Sequence, residues 1–247
     1  MIGMLSDIGL VRKLNEDYLG SVEDDKKRLY VVADGMGGHN AGEIASKIAV
    51  ESTIEYVNTQ AEFDDLGNIL SNAIKFANNK IYQHALSDSN TAGMGTTITA
   101  CLIYNGKTII ANVGDSSCFV IKEDGITKVT KDHSFVQQLL DNGTITEEKA
   151  RNHPNKNIIT RSLGTNELVE VDLFDVDLTN VIKCILCTDG LTNDVTYAEM
   201  YDIIMENDNV SSCEMLVNLS KSKGGRDNIS VIVFEGECRD DRNPIRE

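Results

Sequence analysis

The sequence predicts an α+β sandwich in which helices cover antiparallel sheets. Apolar runs of strand length are joined by two-residue turn signals, which is how antiparallel strands are linked. Helical periodicity occurs twice early and again late, with a block of hairpins between. Nothing divides the 247 residues, whose prolines are Pro154 and Pro244 alone and which contain no Ser/Gly-rich linker. One domain over 1–237 is expected, with a short charged tail at 238–247.

Strand-like runs fall at 4–12, 28–33, 96–104, 108–113, 118–122, 126–130, 169–177, 183–187 and 228–234. Asn105-Gly106 and Asp124-Gly125 each separate two such runs and suit tight hairpin turns. The first helix, 41–57, repeats apolar residues at Ile44, Ile48, Val50, Ile54 and Val57. The second, 64–86, does so at Leu66, Ile69, Leu70, Ala73, Ile74, Ala77 and Ile81, at steps of three and four. Shorter helices fit 135–142, 197–206 and 211–221. The stretch 141–157 is polar, with Ile145 and Ala150 its only apolar side chains, and predicts a mobile insertion beside the sandwich.

Composition excludes several function classes. Nucleic-acid affinity rests on Lys and Arg neutralising phosphates, and a formal net charge of −16 opposes it. No apolar run approaches the roughly 20 residues of a membrane span. The N-terminus lacks a signal-peptide layout, so the cytoplasm is the expected compartment. The six cysteines lie mostly in apolar runs. Cys184 and Cys187 form a C-x-x-C, but on a strand residues three apart point to opposite faces and cannot grip one ion. They read as buried core thiols. The acidity poses a question for any phosphate-directed function, because something must offset the repulsion. Bound cations would.

The aspartates carry the functional signal. "YVVAD" ends an apolar run in Asp34, "IIANVGD" ends one at Asp115, and "CILCTDG" ends one at Asp189. "GGRDNISVIVF" opens one with Asp227. Asp34 and Asp189 are each followed by glycine, which lets the chain turn sharply and brings a carbonyl close to a ligand. Hard cations such as Mg²⁺ and Mn²⁺ take such oxygen donors. Each acid alone equally suits a turn or a helix N-cap; four in one layout favour the cation reading. In "RKLNED", Arg12 offers a planar donor fork for phosphate, with Glu16 and Asp17 close behind; a solvated charged turn is the alternative. "DGMGGHNAGEIAS" lacks the lysine of a nucleotide-binding loop, and "GMGTTI" leads into a strand rather than a helix.

The fragments "RKLNED", "VADGMGGHNAGEIAS", "GTTITACLIYNGKTIIANVGDSS", "TKDHS", "HPNKNIITRSLG", "CTDGLTND" and "GGRDNISVIVF" span residue 12 to about residue 234. In this order they resemble the bacterial branch of the type 2C metal-dependent Ser/Thr protein phosphatases. The resemblance implies a four-layer sandwich of two antiparallel β-sheets flanked by pairs of α-helices, with a flap at about 135–160. It implies two Mn²⁺ or Mg²⁺ ions, with Asp34 bridging both and the Gly35 carbonyl on the second. Asp189 and Asp227 would bind the first, and Glu16 and Asp17 would serve the second directly or through water. Asp115, with Asp189, would hold a third, weaker ion. Arg12 would clamp the substrate phosphate, and a water activated between the ions would hydrolyse phosphoserine or phosphothreonine. The implied partners are phosphoproteins and a cognate Ser/Thr kinase, and the chain is expected to act as a monomer. Two departures stand out. Met36 replaces the histidine of eukaryotic members, leaving His39 as the nearest candidate proton donor, and Ser117 replaces a common arginine.

Overall fold

The structure, a computed structural model, describes residues 2–36, 41–151 and 153–236. His39 and the tail at 238–247 lie outside them. Two antiparallel sheets face each other. One runs β1 (Gly3–Asp7), β11 (Ile229–Glu235), β10 (Lys183–Cys187), β7 (Ser117–Lys122), β8 (Gly125–Lys128). The other runs β2 (Asp17–Glu23), β3 (Lys27–Met36), β5 (Ile98–Tyr104), β6 (Lys107–Val113), β9 (Asp172–Asp175), with the short β4 (Gly95–Thr96) on β3.

Helices cover both outer faces. α1 (Gly42–Asn58) and α2 (Leu66–Ser87) bury Ala45, Ala49, Leu70 and Ile74 against the second sheet. α6 (Tyr197–Glu206) and α7 (Asn209–Ser222) bury Met200, Ile204 and Leu216 against the first. The starts of α2, α6 and α7 are fixed by N-cap side chains that accept orphan N–H groups. Asp65 accepts from Asn68 N, Thr196 and Glu199 form a capping box, and Asp208 accepts from Val210 N and Ser211 N. Between the sheets Tyr30 and Phe234 stack with centroids 3.9 Å apart, among Val32, Ile110, Cys118 and Leu186. The expected four layers are present.

Both hairpins form. Asn105 and Gly106 make the first turn, both at positive φ (48° and 76°), whereas the second turns at Glu123-Asp124, one residue earlier than expected, because Gly125 is already paired with Lys122. Cys184 faces the inter-sheet core and Cys187 the helix-covered side, so the C-x-x-C is split across the sheet. Burial pushes the Cys187 thiol up to about 12 and Cys184 well above its ordinary value.

Several elements differ from the sequence expectation. β1 stops at Asp7 because the Asp7 carboxylate accepts from Gly9 N (2.8 Å) and Gly9, at φ +79°, turns the chain away. β9 is confined to four residues of the expected 169–177 run. β2 was not foreseen: its residues are half-buried almost throughout, so no apolar/polar alternation marks it. The polar stretch 141–157, expected as an insertion, is not a featureless loop. It carries α4 (Glu147–Arg151), follows the expected helix α3 (Phe135–Asp141), and is closed at its base by a bridge between Ser134 and Ile159.

Candidate metal and active site

β2 is what assembles the acids. Its register with β3 sets Asp17 directly opposite Asp34, and directly opposed residues project to one side of a sheet. Asp34 does not terminate its strand, as the sequence suggested, but sits two residues inside β3. Its amide donates to Thr97 Oγ1 (3.0 Å), and its carbonyl accepts from Thr97 N (2.9 Å) and Thr96 Oγ1 (2.8 Å). The next residue must be glycine. A Cβ at Gly35 would strike the carbonyl of Gly42 and lie 2.6 Å from that of Glu16.

Asp189 follows β10 and opens α5 (Asp189–Thr192); Asp227 lies two residues before β11, the neighbouring strand. Asp34 and Asp189 are within hydrogen-bonding reach of each other. Asp17 joins the group through Thr188, whose hydroxyl donates to Asp17 Oδ2 (2.8 Å) while accepting from Ser230 N (3.0 Å). Asp115 lies in the tight turn between β6 and β7, beyond Gly114 at φ +110°, where Thr97 leaves no room for a side chain. Thr97 Oγ1 also meets Ser116 Oγ at 2.7 Å, so one threonine links the Asp34 and Asp115 segments.

The electrostatics follow from packing acids together. Burial raises the Asp34 carboxyl well above its ordinary value, and the charges of Asp17, Asp189, Asp115 and Asp227 add to it. Burial lifts Asp17 to about 7 and Asp189 to about 6, and pushes Asp115 well up. Among the described residues, Asp17 Oδ1, Asp115 Oδ1 and Asp189 Oδ1 are buried with no hydrogen-bond partner. A buried polar atom left unpaired costs about 1–3 kcal/mol, and more when charged. No three of these side chains close to the spacing of one coordination sphere among the described residues. They form an open, mutually repelling set whose unpaired donors are all oxygens, and that fits hard divalent cations.

Arg12 donates to Asp227 Oδ2 at 2.8 Å and lies 4.0 Å from Glu16. Its side chain is 47% exposed, so guanidinium N–H groups remain free for an incoming anion. Glu16 is engaged elsewhere than Asp17: it accepts from the Gly42 amide at the start of α1 and faces Glu43. The structure therefore brings Asp17, Asp34, Asp189, Asp227 and Arg12 together, with Asp115 adjoining and Glu16 at the margin.

Three supporting residues carry no acidic signal and were not singled out from the sequence. Asn193 Nδ2 donates to Asp189 Oδ2 (3.0 Å), while its Oδ1 accepts from Lys156 Nζ (2.8 Å) on the flap. Asn228 accepts from Glu16 N (2.9 Å) and donates to the carbonyls of Ile8 and Leu14 (3.0 Å each). His133 Nδ1 accepts from Gly114 N (3.0 Å), which leaves Nε2 to donate to Asp172 (3.0 Å). Asn193, Asn228 and His133 lie inside the fragments "CTDGLTND", "GGRDNISVIVF" and "TKDHS", which was the available signal. An open cleft of about 680 Å³ runs from Asp115 and Asp189 to Val136, Leu140 and Lys156 of the flap.

Comparison with known proteins identifies the family. The family model for protein phosphatase 2C matches residues 11–216. The serine/threonine phosphatase stp of Listeria innocua is 40% identical over 235 residues, covering 93% of each chain. The crystal structure of the serine/threonine phosphatase Stp1 from Staphylococcus aureus superposes with a TM-score of 0.90 at 34% identity, covering 96% of this chain and 94% of that one. The catalytic domain of the serine threonine protein phosphatase PstP, solved in complex with two manganese ions, superposes at 0.82 with 31% identity, covering 94% and 96%. With the seven fragments, the four-layer fold and the oxygen-lined acidic end in agreement, the chain belongs to the protein phosphatase 2C family.

Proposed function

We propose that this chain hydrolyses phosphoserine and phosphothreonine in proteins and reverses the action of a Ser/Thr kinase, at the acidic end of the sandwich. The observation that carries this reading is the set of unpaired, buried carboxylate oxygens on Asp17, Asp115 and Asp189 beside Asp34. Asp34 is assigned to both principal cations, Asp189 and Asp227 to the first, and the Gly35 carbonyl with Asp17 and Glu16 to the second. Asp115 and Asp189 are assigned to a third, weaker one. Two divalent cations held there would lower the pKa of a shared water toward neutrality and screen the phosphoryl charge.

The chain's own side chains do the rest. Arg12 positions the phosphate from the rim, where its remaining donors face solvent. Thr97 and Thr188 fix the backbone and the carboxylate on which Asp34 and Asp17 depend. Asn193 orients Asp189. No acid–base role falls to Met36, so His39 is assigned as proton donor. The thiols of the five described cysteines are free and buried, in keeping with the reducing cytoplasm, where we place the protein as a monomer.

The test is hydrolysis of a phosphothreonine and a phosphotyrosine peptide with and without Mn²⁺, alongside direct titration of Mn²⁺ binding. We expect metal-dependent turnover of the phosphothreonine peptide and at least two bound ions. Turnover that survives exhaustive chelation, or no measurable binding, would overturn the assignment.

A further inference from the structure

The segment that carries Arg12 also carries an unusual share of the exposed apolar surface. Across residues 8–14, Leu10 is 63% and Val11 64% exposed, with Ile8 at 38% and Leu14 at 40%. A cluster of large apolar side chains left in water at a functional rim marks an interaction surface.

This loop is not soft. Asn228, itself 3% exposed, bonds the carbonyls of Ile8 and Leu14 at its two ends and the amide of Glu16 just beyond. In the middle, Leu10 N donates to Gly225 O at 2.7 Å and Arg12 is fixed to Asp227. At the entry, the Asp7 carboxylate holds Gly9 N and is itself paired with Lys221 at 2.8 Å. The backbone is thus held at four of its residues and Arg12 through its side chain, while the side chains of Leu10 and Val11 project unburied. A surface ordered in advance loses little conformational freedom when something docks on it.

We propose that Leu10 and Val11 form a docking platform for apolar side chains flanking the phosphorylated residue of the substrate protein, which makes them specificity-determining residues of the same site. The proposal rests on the reading of Arg12 as the phosphate clamp. The platform is continuous with that clamp in sequence. An extended substrate chain advances only about 3.3 Å per residue, so residues one or two places from the phosphate must cross the ground beside Arg12. Leu10 and Val11 offer apolar contact beside the exposed cations Arg12 and Lys13, so the platform discriminates flanking residues by side-chain burial while Arg12 holds the phosphate.

The experiment compares the wild type, the double variant Leu10→Ser/Val11→Ser, and Arg12→Ala. The substrates are a phosphothreonine peptide with Leu and Ile flanks, one with Ser and Gly flanks, and a small aryl phosphate. We expect the wild type to prefer the apolar-flanked peptide by about tenfold in kcat/KM, the scale of one or two buried apolar side chains. The double variant should lose that preference through KM and stay within about twofold on the other two substrates. Arg12→Ala should raise KM on all three, so failure of the clamp and failure of the platform read differently. A wild type indifferent to the flanks would overturn the proposal, as would an equal loss on all three substrates in the double variant. So would wild-type dimerisation that the double variant abolishes, since a second copy would then be the occupant. Both substitutions are at exposed positions, and unchanged thermal melting checks that the fold is retained.

Discussion

The inter-sheet core and the acidic end are built on the same strands yet obey opposite rules. β3 contributes Tyr30 and Val32 to the core and, two residues on, Asp34 to the acids. In the core, apolar side chains interdigitate, and the Tyr30 hydroxyl is hydrogen-bonded to Glu23 at 2.5 Å. At the acidic end, like charges stand directly opposed and buried oxygens lack partners. Opposed like charges destabilise a strand pair. The core therefore stabilises the fold, and on the function proposed above bound cations would offset the repulsion at the acidic end. The threonine and asparagine scaffold of Thr97, Thr188 and Asn228 separates the two and holds the acids in place.

That contrast can be broken from either side. Phe234→Ala empties the centre of the core and should destabilise by about 3–5 kcal/mol with kcat per folded molecule nearly unchanged, as read by calorimetry and active-site-normalised rates. Asp34→Asn and Asp227→Asn should do the reverse, each lowering kcat by about 10²-fold or more. Asp34→Asn should in addition raise the melting temperature of metal-free protein, because it removes a charge from the repelling set. Near-normal rates in either folded variant would sink the ligand assignment.

Smaller effects sharpen the comparison. Arg12→Ala should raise KM for a phosphopeptide about tenfold, the worth of a charge-assisted bond, with less change in kcat. Asp115→Ala should slow a phosphopeptide about tenfold and leave an aryl phosphate nearly untouched, because only the poorer leaving group needs a proton. Equal, small losses on both would return Asp115 to a structural role.

The smallest effect concerns pH. Asp17 and Asp189 titrate near 7 and 6 in the fold, against about 3.9 when unfolded. Both folded values are raised, so the native state binds protons that the unfolded state has lost, and stability rises as pH falls. Metal-free protein should melt a few degrees higher at pH 5 than at pH 8. Saturating Mn²⁺ should flatten that dependence, and Asp17→Asn should remove part of it. A metal-free melting temperature that falls between pH 8 and 5 would contradict the reading.

The long helices were legible because their three-and-four apolar spacing survives any tertiary arrangement, and the Asn105-Gly106 turn because positive φ restricts residue choice. β2 was not, since a strand half-buried along its length shows no alternation. The acids Asp34, Asp115, Asp189 and Asp227 stood out at the margins of apolar runs, whereas Thr188 and Asn228 did not. A hydroxyl or amide that bonds across about 171 or 212 positions of chain has no local signature.

By itself, the sequence determined the fold class, the family and the oxygen chemistry of the site, because periodicity, turn chemistry and ordered motifs are local and read directly. Only the tertiary structure decided that Asp17 faces Asp34 through the β2–β3 register, while Glu16 turns to the start of α1. It alone decided that Asn228 grips the loop carrying Arg12, and that Asn193 joins Asp189 to the flap. These are relations between distant segments. Strand register and packing set them, and no window of sequence contains both partners.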